Sequence, residues 1–319
     1  MNRLECPAAL TVLQAVDWAA RKLDGRANPA SRVESEILLG EVCASNRLAL
    51  YLDHARRLDI LETSRFSALV SRRMRGEPVQ YLTGSAEFYG REFLVSPAVL
   101  IPRPETERIV DHVRPFLNGI RRVPIGKPGM RTRARNTGGT PSDRPVHFAD
   151  VGTGSGVLAV TLALECPSVR GYATDVSDEA LGIARRNAGR LLRDRSRIAF
   201  ARGSLLAPLN ASSIPALDLI VSNPPYVTSR EMDSLPDEIR AFEPRLALHG
   251  GEDGLICYRE LIDQAPAYLK KGGMIALEIG SEQSAAVSRL MTDRRVFGKM
   301  KIVKDYNGLD RIVSAIHVG

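Results

Sequence analysis

The sequence predicts an α/β protein, a seven-stranded sheet covered by helices, preceded by a small helical bundle and a β-hairpin linker. Three observations predict it. Past Val146, short apolar runs alternate with stretches of helical periodicity. Before about residue 75, apolar residues recur at helical steps instead. Where the first strand of the alternating part passes into its first helix stand Gly152, Gly154 and Gly156.

Residues 1–75 read as the bundle. Leu13, Val16, Ala20 and Leu23 repeat at steps of 3, 4 and 3, which places them on one face of a helix. Ser31 and Glu34 have the spacing of a capping box ahead of Val33, Ile37, Leu38 and Val42, and a third helix carries Leu61, Phe66, Leu69, Val70 and Met74. Arg72, Arg73 and Arg75 are expected on a solvated face. No titratable cluster here suggests chemistry, so the bundle is read as serving packing or the holding of a partner.

Residues 76–108 change texture. Glu87-Phe88-Tyr89 and Glu92-Phe93-Leu94-Val95 flank Gly90 as a hairpin. Ile101-Pro102-Arg103-Pro104-Glu105-Thr106-Glu107 follows, a loop stiffened by two prolines that either aims Arg103 or Glu105 at a neighbouring site or serves only as a link. A helix with Ile109, Val110, Val113, Phe116 and Leu117 opens the third part, residues 109–319. Within it, residues 118–145 lack apolar periodicity, are rich in Gly, Pro, Thr and Arg, and read as a mobile basic insertion.

Strands are expected at Val146 to Val151, Val169 to Thr174, Arg197 to Ala201, Leu217 to Val221 and Met274 to Ile279, with two more near Met300 to Val303 and Arg311 to His317. Between them run helices over Ser155 to Glu165, Ser177 to Leu192, Glu252 to Leu269 and Ser281 to Met291. That alternation predicts a parallel sheet covered on both faces.

Composition excludes several classes. At 319 residues, 44% hydrophobic and 25% charged, the chain suits a large globular domain with a smaller one attached. No apolar run approaches the length of a membrane span, and Gln14 and Asp17 break the first apolar stretch, which argues against a signal peptide. Cys6, Cys43, Cys166 and Cys257 are scattered, fit neither a metal site nor a disulfide framework, and suit a reducing cytoplasm. The net charge is +7, but residues 118–145 hold seven basic residues against Asp143 alone and so account for +6 of it. The rest is nearly neutral, which makes the charge weak evidence for a nucleic-acid partner.

Two stretches carry candidate chemistry. Ile220 and Val221 end a buried strand that runs into Asn223-Pro224-Pro225-Tyr226. The prolines lack N–H groups and restrict the residues before them, so the loop offers mainly carbonyl acceptors. Asn223 Oδ1 and the Pro224 carbonyl can converge on one planar NH2 group while Tyr226 supplies a flat apolar surface. Alone, the motif fits either such a holder or a Pro-Pro turn with Tyr226 in the core.

The second stretch is Asp150-Val151-Gly152-Thr153-Gly154-Ser155-Gly156. Its alternate glycines permit a sharp turn and close approach of a ligand, and Asp175, 23 residues after Gly152 at the end of the second strand of this sheet, suits a ribose. The spacing is G-x-G-x-G rather than G-x-G-x-x-G, which favours S-adenosylmethionine over a dinucleotide. An amide nitrogen is a poor nucleophile because its lone pair is shared with the carbonyl; holding its hydrogens at Asn223 and Pro224 would turn that pair toward the methyl group.

The chain resembles the release-factor glutamine methyltransferases, the PrmC/HemK family. The resemblance rests on Gly76-Glu77-Pro78-Val79-Gln80-Tyr81-Leu82-Thr83-Gly84, Glu87 to Gly90, Ile101 to Glu107, Asp150 to Gly156, Asn223 to Tyr226, Phe242-Glu243-Pro244, Asp253-Gly254-Leu255 and Glu278-Ile279-Gly280. It implies a Rossmann-like class I methyltransferase domain behind a helical domain and hairpin. It also implies N5-methylation of the glutamine in the Gly-Gly-Gln motif of class I peptide chain release factors. By position, Gly152, Thr153, Gly154, Ser155, Gly156 and Asp175 would bind S-adenosylmethionine, with Leu205 and Asn223 also at the cofactor; Asn223, Pro224, Pro225 and Tyr226 would hold the glutamine. Family members usually carry an acidic residue after the third strand of the methyltransferase sheet, where this chain has Ser204 before Leu205.

The main rival is an N6-adenine methyltransferase, since the exocyclic adenine amine is another planar NH2 group. No separate base-reading module is visible, so neither a stable nucleic-acid partner nor a membrane is expected. A ribosomal-protein glutamine methyltransferase and a non-enzymatic S-adenosylmethionine-binding module are the other readings.

Overall fold

The computed structural model describes residues 7, 9–24, 30–120 and 145–319, in two compact units. Cys6 and most of the basic insertion lie outside the described residues, although Asn118 and Gly119 complete the helix Glu107–Gly119.

The first unit comprises residues up to Ser85 with Val95–Pro97 and Leu235–Phe242. Its helices are Val12–Asp24, Ser31–Cys43, Arg47–Leu52, Ile60–Met74 and Val79–Thr83, with Asp237–Phe242 added from later in the chain. Trp18, Leu38, Leu39, Phe66 and Val70 form the centre of its core. Several expectations are corrected. Ser31 lies inside its helix and makes no cap; Ala30 holds that position without a side-chain bond, and Glu34 pairs with Arg73 instead. Asp59 and Glu62 form a capping box two helices later, and Thr11 and Gln14 exchange the same pair of bonds ahead of the first helix. Val33, Ile37 and Leu61 are exposed, because Ser35, Leu38 and Leu39 take the inner face of the second helix and Phe66 and Val70 that of the fourth. Arg73 is not on a solvated face: its side chain is 12% exposed and bridges Glu34 and Glu238. Arg72 pairs with Glu77, and Arg75 stays exposed.

The second unit holds the hairpin and the large sheet. The hairpin strands are β1 (Ser85–Phe88) and β2 (Arg91–Leu94). Tyr89 and Gly90 between them have φ of 54° and 69°, the left-handed pair that a two-residue turn needs for its twist to match the strands. Tyr89 has no glycine's freedom; its N–H donates to Glu107 and its hydroxyl to Asp111, which hold it there.

The sheet strands are β3 (Val146–Val151), β4 (Val169–Asp175), β5 (Ile198–Arg202), β6 (Leu217–Ser222), β7 (Leu269–Glu278), β8 (Phe297–Lys304) and β9 (Asp310–His317). Their order is β5-β4-β3-β6-β7-β9-β8. The chain reverses direction in the sheet beside β3, which opens a crevice there at the carboxyl strand ends. Every residue of β3 and β6 is buried, as expected for strands covered on both faces. The sheet is not wholly parallel: β9 runs antiparallel to both β7 and β8. The tight turn before β9 explains this, since Asp305 accepts the N–H groups of Asn307 and Leu309 and Gly308 takes φ 80°. Helices Val157–Glu165 and Asp178–Leu191 pack on one face, with Phe148 and Leu162 between, and Ile256–Tyr268 and Ser284–Asp293 on the other. The first of these starts at Val157, because Ser155 and Gly156 still belong to the turn.

Candidate active site

Register sets the site. Val151 is paired with Thr174 on one side and Ser222 on the other, so Gly152, Asp175 and Asn223 are the next residues out of three adjacent strands. Ser222 Oγ donates to the Val151 carbonyl at 2.7 Å, which ties the ends of β3 and β6 together.

The glycine turn is held from below. Gly152 and Thr153 N–H both donate to the Thr174 carbonyl, and Thr153 Oγ1 donates to buried Asp150 Oδ2 at 2.6 Å. The three glycines serve different ends. All have positive φ, but a Cβ on Gly156 would lie 3.0 Å from Ala184 Cβ, whereas Cβ atoms on Gly152 and Gly154 would meet nothing within 4 Å. Gly156 therefore lets the helix Asp178–Leu191 approach; Gly152 and Gly154 keep a bare backbone facing open space, as a close-fitting ligand requires. Asp175 Oδ2 accepts from Gly154 N–H and Oδ1 from Ser177 N–H, both at 2.9 Å. Each carboxylate oxygen has a further lone pair to offer a hydroxyl. Asp150 Oδ1 is buried with no hydrogen-bond partner among the described residues, and burial pushes this carboxyl up to about 6.

After β5 the chain bends so that Leu205 adopts φ 50°, held by the Thr174 hydroxyl donating to its carbonyl at 2.7 Å, while Leu206 N–H donates to Gln264. This turn follows the strand on the far side of Asp175; Ser204 in it is exposed.

The Asn223–Tyr226 corner is built on glycines from a distant segment. Val227 N–H donates to the Leu248 carbonyl and Gly250 N–H to the Val227 carbonyl. A Cβ on Gly250 would stand 2.7 Å from the Pro225 carbonyl oxygen, and one on Gly254 would collide with the Tyr226 carbonyl oxygen. Gln283 Nε2 donates to the Tyr226 and Gly254 carbonyls and its Oε1 accepts from Gly280, which locks the three segments. Asn223 Nδ2 donates to Thr106 Oγ1 at 3.1 Å, leaving Oδ1 to accept. Burial, aided by Glu278, pushes the Tyr226 hydroxyl up to about 12. Arg103 pairs with buried Glu243, and Glu243 also accepts from Ile101 N–H. The proline-stiffened loop is thus anchored by Glu243, and its Thr106, not Arg103 or Glu105, reaches Asn223.

The sequence reading gave no role to Thr106, Gly250, Gln283, Glu278 or Asn187. Asn187 exchanges two bonds with Leu94 of the hairpin and donates to the Ser155 carbonyl of the glycine turn. Its only signal in the sequence is a polar residue on the inner face of a helix that starts at Asp178.

The strand order, the glycine turn at the reversal point and the carboxylate on the next strand make the second unit a class I methyltransferase fold, and a family model described as the methyltransferase small domain matches residues 141–240. The PrmC N-terminal domain model matches residues 14–84. The release factor glutamine methyltransferase of Chlorobaculum tepidum is 39% identical over 300 residues, covering 94% of this chain and 93% of the relative. That of Bacillus subtilis is 36% identical, covering 96% and 98%. The chain belongs to the release factor glutamine methyltransferase family. Among solved structures, a methyltransferase from Pyrococcus furiosus aligns with 79% of this chain and 99% of its own at 17% identity and a TM-score of 0.48.

Proposed function

We propose that this chain transfers a methyl group from S-adenosylmethionine to the side-chain amide nitrogen, N5, of the glutamine in the Gly-Gly-Gln motif of class I peptide chain release factors, in the cytoplasm. The observation that carries the proposal is the Asn223 amide: its nitrogen is engaged by Thr106, so its oxygen is the end left to accept, one residue beyond β6 and beside the glycine turn.

Gly152 to Gly156, Asp175 and Leu205 would hold the cofactor, with Asn223 at its reactive end; the bare backbone at Gly152 and Gly154 fits such a group. When bound, S-adenosylmethionine supplies an electrophilic methyl on a cationic sulfur. The chain's own residues then act on the acceptor. Asn223 Oδ1 and the Pro224 carbonyl accept the two amide hydrogens, which fixes the plane of the NH2 group and favours a pyramidal nitrogen with its lone pair exposed. Pro224 and Pro225 present no competing N–H. Tyr226, its hydroxyl at about 12, stays protonated at neutral pH and acts through its ring, not as a base. No strong base is required, because the nitrogen becomes acidic only once alkylated and then releases its proton to water. The helical unit is proposed to dock the release factor.

The test is to incubate the protein and methyl-labelled S-adenosylmethionine with a release factor, the same factor with the motif glutamine changed to alanine, and DNA and RNA. Label on the first alone is expected. Label on nucleic acid alone would replace this reading with adenine methylation.

A further inference from the structure

The chain leaves the second unit after Ser234 and rejoins it at Glu243, and Leu235–Phe242 between them belong to the helical unit. Both ends of this excursion lead to the Asn223–Tyr226 corner. Upstream, Thr228 and Glu231 form a capping box and Ser234 N–H donates to the Glu231 carbonyl, so the chain that follows Tyr226 is held in place up to the point where it departs. Downstream, buried Glu243 holds Arg103 and the Ile101 N–H, and the loop so anchored carries Thr106 to Asn223. Within the excursion, no side chain of the helix Asp237–Phe242 is buried, so apolar packing gives it little hold on the unit it joins. Charge supplies a hold instead. Arg73 Nε and Nη2 donate to the two carboxylate oxygens of Glu34 at 2.8 and 3.0 Å, a forked pairing that fixes the guanidinium plane, and Nη1 donates to Glu238 at 2.9 Å. The Arg73 and Glu34 side chains are only 12% and 15% exposed, whereas that of Glu238 is 45% exposed.

We propose that Arg73 and Glu238 are positioning residues through which a release factor docked on the helical unit acts on the Asn223–Tyr226 corner. The inference rests on the proposed function and the proposed docking role of the helical unit, and adds the means by which docking reaches the reacting amide. An ion pair with a half-exposed partner contributes little to stability, so holding the fold together does not call for it. What the pair sets is where Leu235–Phe242 lies, and with it the two ends that run into the corner. Glu34 keeps the Arg73 fork in one orientation, so the remaining nitrogen meets Glu238 at a defined place; a lysine, with a single point of charge, serves only one of the two carboxylates well. Binding energy gained at a remote part of a substrate raises kcat only where it is used to orient the reacting groups, and this link gives docking a path to that use. With the link cut, the factor still docks, but its glutamine meets a corner held no better than for an isolated peptide.

The test compares wild type, Glu238→Ala, Arg73→Lys and the double variant on an intact release factor and on a short peptide carrying its Gly-Gly-Gln motif, with factor and S-adenosylhomocysteine affinities by calorimetry and thermal melts alongside. Glu238→Ala leaves Arg73 paired with Glu34, so its Tm should fall by no more than roughly 2–4 °C. On the intact factor its kcat should drop about 10-fold with affinity for the factor and for S-adenosylhomocysteine unchanged; on the peptide, which lacks the docking part, kcat/KM should match wild type. Arg73→Lys should show the same kcat loss, and the double variant should lose no more than either alone, since both changes cut one link. Should Arg73→Lys fail to fold, the difference between the two substrates in Glu238→Ala reads the link by itself. Should the peptide be methylated too slowly to measure, the split between kcat and factor affinity does so. Wild-type kcat of Glu238→Ala on the intact factor overturns the inference. So does an equal loss on factor and peptide, which means damage at the corner itself, or a loss of factor affinity alone, which makes Glu238 a contact of the docking surface. Each of these leaves the proposed function standing; a wild type inactive on the release factor would overturn both.

Discussion

Replacing the glycines of the turn after β3 one at a time should separate fold from function. Gly154→Ala introduces a Cβ at φ 54° with nothing within 4 Å of it. The left-handed backbone costs about 1–2 kcal/mol in an L-residue, and no packing penalty is added. For a protein of this size that lowers Tm by roughly 2–8 °C. Gly156→Ala meets the same backbone cost at φ 82°, but its Cβ falls 3.0 Å from Ala184 Cβ and 3.2 Å from its Cα. Separating two helix-borne backbone segments adds about 1–3 kcal/mol, for a total near 2–5 kcal/mol. Binding should show the reverse order. The Gly154 Cβ stands in the space proposed for the cofactor, so S-adenosylhomocysteine Kd should rise at least tenfold, about 1.4 kcal/mol, while a folded Gly156→Ala binds more nearly as wild type. Titration calorimetry and thermal melts on both variants measure the two effects. Wild-type affinity in Gly154→Ala would refute the assignment of the turn as a cofactor cradle.

Two further outcomes follow from buried carboxyls. Arg103→Leu strands the Glu243 carboxylate, whose side chain is 2% exposed, and should destabilise the protein by about 3 kcal/mol in urea titrations, partly recovered in Arg103→Leu/Glu243→Leu; equal stability of wild type and single variant would contradict the anchoring role. Asp150 and Glu278 are raised from 3.8 to about 6 and from 4.5 to about 7, chiefly by burial. The native state therefore keeps protons that the unfolded chain has released, and the contribution of these groups to stability, full below their unfolded values, is lost as pH rises through about 6 and 7. Relative to Asp150→Asn/Glu278→Gln, wild type should lose stability between pH 4 and pH 8; a difference independent of pH would contradict the shifts.

The sheet was legible because its central strands are buried on both faces and read as nearly continuous apolar runs, with Val146–Val151 found where it was expected. The extent of β7 was not: it begins at Leu269, and Gly272 and Gly273 within it look like a turn in the sequence. In the helical unit, periodicity found helices but misjudged faces. Val33 and Ile37 share an apolar stripe with Leu38, yet Ser35 and Leu39 occupy the inner side, and which stripe wins depends on the neighbouring helices. Ser31 and Glu34 have capping-box spacing, but Arg73, 39 residues from Glu34, claims that carboxylate. In the site, Gly152, Asp175 and Asn223 stood out because the glycine turn and the Asn-Pro-Pro-Tyr corner have local signatures at strand ends. Thr106 did not, because its partnership with Asn223 spans 117 residues and is made by the fold alone. Gly250 was hidden for the same reason: it serves a backbone that passes over it from β6.

The central claim is that the Asn223 carboxamide orients the substrate nitrogen for methyl transfer. Its most direct measurement is the single-turnover rate of Asn223→Ala against wild type at saturating cofactor and release factor. The account predicts a loss of about 100-fold or more, the scale of removing one preorganised polar group at a reacting centre. A single-turnover rate equal to wild type would contradict it.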